Sequence, residues 1–104
     1  MPKSELYILV ALATKEQHGY EIMQYVQTIS HSTVTLGPGT LYTALKRLLD
    51  NGYIADAGER EESDKRERKY YKLTAKGRKA LGAELSAINA LLALPAVKQV
   101  LKTV

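Results

Sequence analysis

A mainly α fold with one small β-hairpin is predicted by the chain on three observations. Apolar residues recur at helical spacing in four stretches, around Leu6, Ile22, Leu41 and Leu81. Between the third and fourth, two short runs in which β-branched or aromatic residues alternate with charge flank a Gly- and acid-rich stretch, the pattern of a hairpin. The 104 residues show no internal repeat, low-complexity tract or interdomain linker, so they form one small domain. So short a chain supports only a modest core, which favours burial against a second copy.

The first helix is expected from Glu5 to about Thr14, with Ser4 as N-cap and Leu6, Leu9, Val10 and Ala13 as its inward stripe. Ile8 and Leu12 add apolar surface off that stripe, more than a helix with one wet face carries, so a second packing partner is implied. The run Leu6 to Ala13 is too short, and the flank holding Lys3 and Glu5 too weakly basic, for a signal peptide. Nothing approaches the roughly 20 apolar residues of a membrane span, and a cytoplasmic protein without a membrane partner is expected. Lys15 to His18 make a polar break. His18-Gly19 then opens a second helix to about Ser30, with Ile22, Val26 and Ile29 inward and Met23 and Tyr25 alongside. Residues 30 to 37 link it to the third helix.

Pro38 suits a first helical position, because its fixed φ is already helical and its missing N–H has no intrahelical partner to lose. From Pro38 to Asn51, Leu41, Ala44, Leu45, Leu48 and Leu49 fill one side of the helix. Thr43, Lys46, Arg47 and Asp50 fill the other, with Thr40 and Tyr42 at its margins. Asn51-Gly52 supplies the left-handed stop. Strands follow at about Tyr53 to Ala57 and Arg68 to Leu73. Helices and hairpin in this order make a winged helix-turn-helix over residues 1–74.

Residues 75–104 are read as a C-terminal dimerisation helix of the same compact unit. Thr74 caps it, it runs to about Leu94, Pro95 breaks it, and Ala96 to Lys102 add a turn or two. Leu81, Leu85, Ile88 and Leu92 repeat at spacings of 4, 3 and 4, and Ala83, Ala87, Ala90 and Leu94 form a second stripe with the same spacing. One stripe can pack on its own domain, while the alanine-rich one admits another helix closely. The alternative is that both stripes belong to one monomer's core. The dimerisation set is Leu81, Ala83, Leu85, Ala87, Ile88, Ala90, Leu91 and Leu92.

Charge narrows the function. Residues 38–79 hold 11 Lys/Arg against 7 Asp/Glu, the rest 4 of each sign, so this segment accounts for the whole net charge of +4. An excess confined to this one segment, from the third helix through the hairpin into the start of the last helix, fits a polyanion, since Lys and Arg that displace phosphate counterions gain affinity without reading sequence. The acidic tip residues Glu59, Glu61, Glu62 and Asp64 would be repelled by phosphate. They are expected to pair with Arg60, Lys65 and Arg66 or to point away. Without cysteine, thiolate metal sites, disulfides and cysteine nucleophiles are excluded. No P-loop, dinucleotide loop or H-E-x-x-H is present, and carboxylates on a solvated hairpin are poorly placed for a raised pKa, so no enzyme, metal or cofactor is expected. His18 and His31 read as helix-start and surface residues. Lacking Phe and Trp, the chain must draw its aromatic bulk from tyrosine, so Tyr7, Tyr20, Tyr25, Tyr53 and one of Tyr70 and Tyr71 are expected in the core or its boundary. Tyr42, beside the exposed face of the third helix, is expected either to contact phosphate or a base edge or only to pack. Tyr70 and Tyr71 alternate faces, which argues against a base-stacking platform for RNA. A winged-helix module for an acidic protein partner is the rival to DNA binding.

The order HGYEI, GPGTLY, LKRL, NGYI, RKYYKLT and AKGRKAL resembles the PadR family of bacterial winged-helix transcriptional repressors, from about Glu5 to Leu92 and closest to its compact branch. The resemblance implies a homodimer joined through the C-terminal helix, often with the first helix, bound to double-stranded DNA carrying an inverted repeat. Carried over by position, Thr40, Tyr42, Thr43, Lys46 and Arg47 lie on the recognition helix, and Lys65, Arg66, Arg68 and Lys69 on the wing. It also implies release by a small hydrophobic or aromatic effector, for which Tyr7, the only aromatic residue of the first helix, is the candidate contact. Where relatives often have a Gly-Arg-Pro-like step before the RKYY strand, this chain has Lys65-Arg66-Glu67, which leaves the wing tip open.

Overall fold

The computed structural model describes residues 1–104 as five helices and a three-stranded antiparallel sheet. The elements are α1 Lys3–Thr14, β1 Gln17–His18, α2 Gly19–Ile29, α3 Pro38–Asp50, β2 Ile54–Glu61, β3 Glu67–Leu73, α4 Ala75–Leu92 and α5 Pro95–Leu101. The sheet order is β1-β3-β2. The core gathers Ile8, Leu9 and Leu12 of α1, Ile22 and Val26 of α2, Leu41, Leu45 and Leu48 of α3, and Ile54, Tyr71 and Leu81.

Two expectations for α1 are corrected. The N-cap is Pro2, without a side-chain bond, and Ser4 lies inside the helix. The inward face is Glu5, Ile8, Leu9, Ala11 and Leu12, rotated from the expected stripe, of which only Leu9 is fully buried. Both faces are apolar at helical spacing. The Ile8 and Leu12 face meets α2, α3 and β3, while Leu6, Tyr7 and Val10 turn toward α4. The second partner implied for this helix is therefore α4 of the same chain, at least in part.

The polar break of residues 15–18 contains β1, whose two residues pair with Tyr71 and Tyr70. Gln17 is buried, and its Nε2 donates to the Ala11 carbonyl at 2.6 Å, satisfying a carbonyl orphaned at the end of α1. His18 is the N-cap of α2. Its Nδ1 accepts the Glu21 N–H at 3.3 Å and the Glu21 carboxylate accepts the His18 N–H, a reciprocal box. In the link to α3, the buried Ser30 hydroxyl accepts the Val34 N–H at 3.1 Å, which lets Val34 and Leu36 enter the core. Gly37 and Pro38 open α3, and Gly52 at φ +75 carries the chain out of it, the left-handed exit that glycine makes at no steric cost.

Both hairpin strands run further than expected, to Glu61 and from Glu67. A bulge lies between Asp56 and Glu59, where Gly58 adopts φ +91. The Gly58 N–H donates to Asp56 Oδ1 at 2.7 Å and holds that carboxyl below the usual range. Beyond the bulge the residues of β2 are all exposed, so no buried face imposes the alternation by which a strand is read.

Thr74 caps α4 by accepting the Gly77 N–H at 3.0 Å. The helix ends at Leu92, and α5 departs at 79°. After Leu81 no α4 side chain is buried, and the chain extends over 52 × 27 × 21 Å. The alternative in which both stripes fill one monomer's core is thereby ruled out for this fold. No single helix is long and apolar enough to cross a membrane.

Candidate nucleic-acid interface

Packing fixes which face of α3 is available. Leu41, Ala44, Leu45 and Leu48 are buried, and Thr40, Tyr42, Thr43, Lys46 and Arg47 are all exposed on the remainder of the helix. Tyr42 is 56% exposed despite its size. Its hydroxyl lies over Gly19, where an added Cβ would come within 3.0 Å of it, so the glycine makes room for the ring at the start of α2. Lys46 Nζ pairs with Asp50 at 3.2 Å, one turn on, a solvated pair worth about 0.3–0.5 kcal/mol.

Glu5, which sequence reasoning placed only in a helix, joins this face. Its side chain is 9% exposed, and Oε2 stands 3.9 Å from Nη1 of Arg47. That distance is too long for a hydrogen bond, so the attraction is electrostatic. The two flank a hollow of about 410 Å³ between α1 and α3, also lined by Ser4, Thr40 and Thr43.

The four wing cations divide. Lys65 and Arg66 are exposed at the tip, where Lys65 takes φ +65 and the Glu62 N–H bonds the Arg66 carbonyl at 2.9 Å. A tight turn thus spans Glu62 to Arg66, and the Lys65-Arg66-Glu67 step is its exit into β3, with Asp64 Oδ1 accepting the Arg66 N–H at 3.0 Å. Arg68 is half-buried, 3.7 Å from Asp64 and with its guanidinium 5.9 Å over the Tyr20 ring. Lys69, 3.4 Å from Asp56, lies on the opposite face of β3. Of the expected tip pairings, only Asp64 with Arg66 forms; Arg60 instead pairs with Glu16, before β1. Tyr20, expected at the core boundary, is exposed. Tyr71 is the member of its pair that enters the core, and burial raises its phenol's pKa.

At the far end, Leu6, Tyr7 and Val10 of α1 and Leu85 and Ile88 of α4 line a mainly apolar groove of about 230 Å³. Tyr7 is half-buried there. Ala83, Ala87, Ala90, Leu91 and Leu92 are exposed along α4, and Leu94 and α5's Leu101 continue the apolar surface.

Residues 8–83 match the Transcriptional regulator PadR-like family. An uncharacterised protein of Lysinibacillus sphaericus is 31% identical over 71 residues, 68% of this chain and 64% of that protein, so the chain spans just under two thirds of that relative. The crystal structure of Bacillus subtilis PadR in complex with operator DNA superposes with a TM-score of 0.71 at 29% identity, covering 82% of this chain and 48% of that one. A PadR family transcription regulator from Clostridium difficile R20291 gives 0.72 at 31% identity, covering 88% and 95%.

Proposed function

Since the chain belongs to the PadR-like family of transcriptional regulators, we propose that it is a homodimeric repressor that binds double-stranded DNA sequence-specifically at an inverted repeat. One observation carries this reading: α3 is clamped by four core residues on one side and presents Thr40, Tyr42, Thr43, Lys46 and Arg47 on the other. A rigid helix with polar, hydrogen-bonding side chains is what major-groove readout requires. Lys65 and Arg66 of the wing then add sequence-independent contacts to the flanking backbone.

Titration of purified protein against a randomised duplex pool at several salt concentrations tests the reading. Arg47→Ala should cost about 1–3 kcal/mol at the selected site and relax one base position. Lys46→Ala should weaken all duplexes alike and reduce the salt slope by about 0.9. Equal affinity for every duplex in wild type and both variants, with circular dichroism unchanged, would favour the acidic-protein partner instead.

The small-molecule part of the reading is supported by the groove of Leu6, Tyr7, Val10, Leu85 and Ile88, whose lining residues are all hydrophobic and suit a small hydrophobic compound. Such a compound should release the DNA, and Tyr7→Ala should weaken its binding by about 0.5–1.5 kcal/mol, the worth of an aromatic pair beyond burial. If a broad set of aromatic compounds leaves DNA affinity unmoved, repression is constitutive.

A further inference from the structure

The four tip carboxylates differ in their surroundings. Glu59 and Glu61 are exposed, and Asp64 serves the turn. Glu62 points inward: its Oε1 accepts the Tyr70 hydroxyl and lies 3.5 Å from His18 Nε2. The carboxylate's hydrogen bond pushes the Tyr70 phenol up to about 12. The His18 ring, 10% exposed, meets Tyr70 edge-on with centroids 5.3 Å apart, and its other nitrogen caps α2. Arg60 covers the Tyr70 ring at 4.1 Å and pairs with Glu16. Residues from both wing strands and the tip turn therefore grip β1 and the first turn of α2.

This cluster sits where support for the wing runs out. β1 pairs with β3 only at Tyr70 and Tyr71, so nearer the tip the hairpin is a two-stranded ribbon without a third strand. Two-stranded ribbons twist over a wide range and are marginal by themselves. The pitch of Lys65 and Arg66 relative to α3 is therefore set by side chains at the point of departure.

We infer that Glu62, held by Tyr70 and His18, is a positioning residue that anchors the wing at the pitch from which its tip cations reach DNA together with α3. The inference rests on the DNA-binding reading above and assigns Glu62 the opposite effect to its neighbour. As charges, Glu61 and Glu62 are equivalent, and removing either makes the wing more positive, which by the local field alone strengthens duplex binding. As an anchor, Glu62 does the reverse when lost, because a wing free to swing must be ordered on binding.

Duplex affinity of the full chain is measured for Glu61→Ala, Glu62→Ala, Tyr70→Phe and the double variant Glu62→Ala/Tyr70→Phe. Glu61→Ala should bind equally or more tightly. Glu62→Ala and Tyr70→Phe should each bind about three- to tenfold more weakly, the size of one net hydrogen bond, and the double variant no worse than the weaker of the two. The loss from Glu62→Ala should disappear in a Lys65→Ala/Arg66→Ala background, since an anchor acts only through the tip it positions; a residue that merely stabilised the fold would keep its effect there. If Lys65→Ala/Arg66→Ala binds duplex as wild type does, the wing is not a DNA contact, and the anchor falls with it. If that variant is weakened but Glu62→Ala behaves like Glu61→Ala, the anchor alone is overturned and the DNA-binding reading stands.

Discussion

Gly77→Ala is expected to destabilise the folded chain by about 3 kcal/mol, although alanine is the better helix former by about 1 kcal/mol. Gly77 stands in the first turn of α4, where the helix is pressed against the end of the third helix's exit turn. A Cβ there would run into the carbonyl of Tyr53 and lie 2.9 Å from Leu73 Cδ1. The carbonyl cannot yield cheaply, because it accepts the Thr74 N–H at 3.1 Å. Thr74 in turn donates from its hydroxyl to the Gly52 carbonyl at 2.6 Å while capping Gly77. Moving the obstacle therefore disturbs the α4 cap and the seam joining it to the hairpin together, and overpacking outweighs propensity. The thermal midpoint should fall by about 10–20 °C. Gly82→Ala is the contrast: an added Cβ there meets nothing within 4 Å, so only the propensity gain remains. Equal stability of Gly77→Ala and wild type would mean that α4 does not dock on Tyr53 in this way.

The parts of the fold that were legible in the sequence are those with two unlike faces. In α3 the buried Leu41, Ala44, Leu45 and Leu48 stand opposite the exposed Thr43, Lys46 and Arg47, so spacing alone orients the helix. Spacing is ambiguous in α1 because both stripes are apolar; only the placement of α4 against Leu6, Tyr7 and Val10 decides between them. β1 has two residues and no alternation to detect, and it exists because β3 offers an edge. The outer wing is illegible for the opposite reason, since charged residues on both faces give a strand no readable period. Site residues on α3 follow from its polar face. Glu5 and Glu62 do not, because their roles come from Arg47, His18 and Tyr70, partners that the fold and not the sequence brings close.

Ile88→Glu is expected to convert a dimer to a monomer and to lower affinity for an inverted-repeat duplex by about 10²–10⁴, the advantage that a second linked site confers. Ile88 is 38% exposed, Leu85 43%, Leu91 54% and Leu92 44%, and Leu94 and Leu101 are exposed as well. We propose that these exposed apolar side chains meet a second copy of the chain. The 4-3-4 spacing suits another helix, and Ala83, Ala87 and Ala90 let it approach closely. A carboxylate forced into that seam without a partner is costly enough to keep the subunits apart. Ile88 lies outside the core cluster but also lines the groove between α1 and α4, so the helix content and thermal transition of the variant are measured alongside, to distinguish lost assembly from lost fold. Ala87→Glu, on the other stripe, is the comparison: if it alone sheds the partner, the alanine stripe forms the seam and the expectation for Ile88 is wrong. With two-fold pairing the recognition helices stand about one DNA turn apart, roughly 34–36 Å, and a lone subunit holds only a half-site. Sedimentation of wild type as a monomer at micromolar concentration without DNA would remove the dimer from the mechanism. Full operator affinity in a monomeric Ile88→Glu would show instead that assembly is not what secures binding.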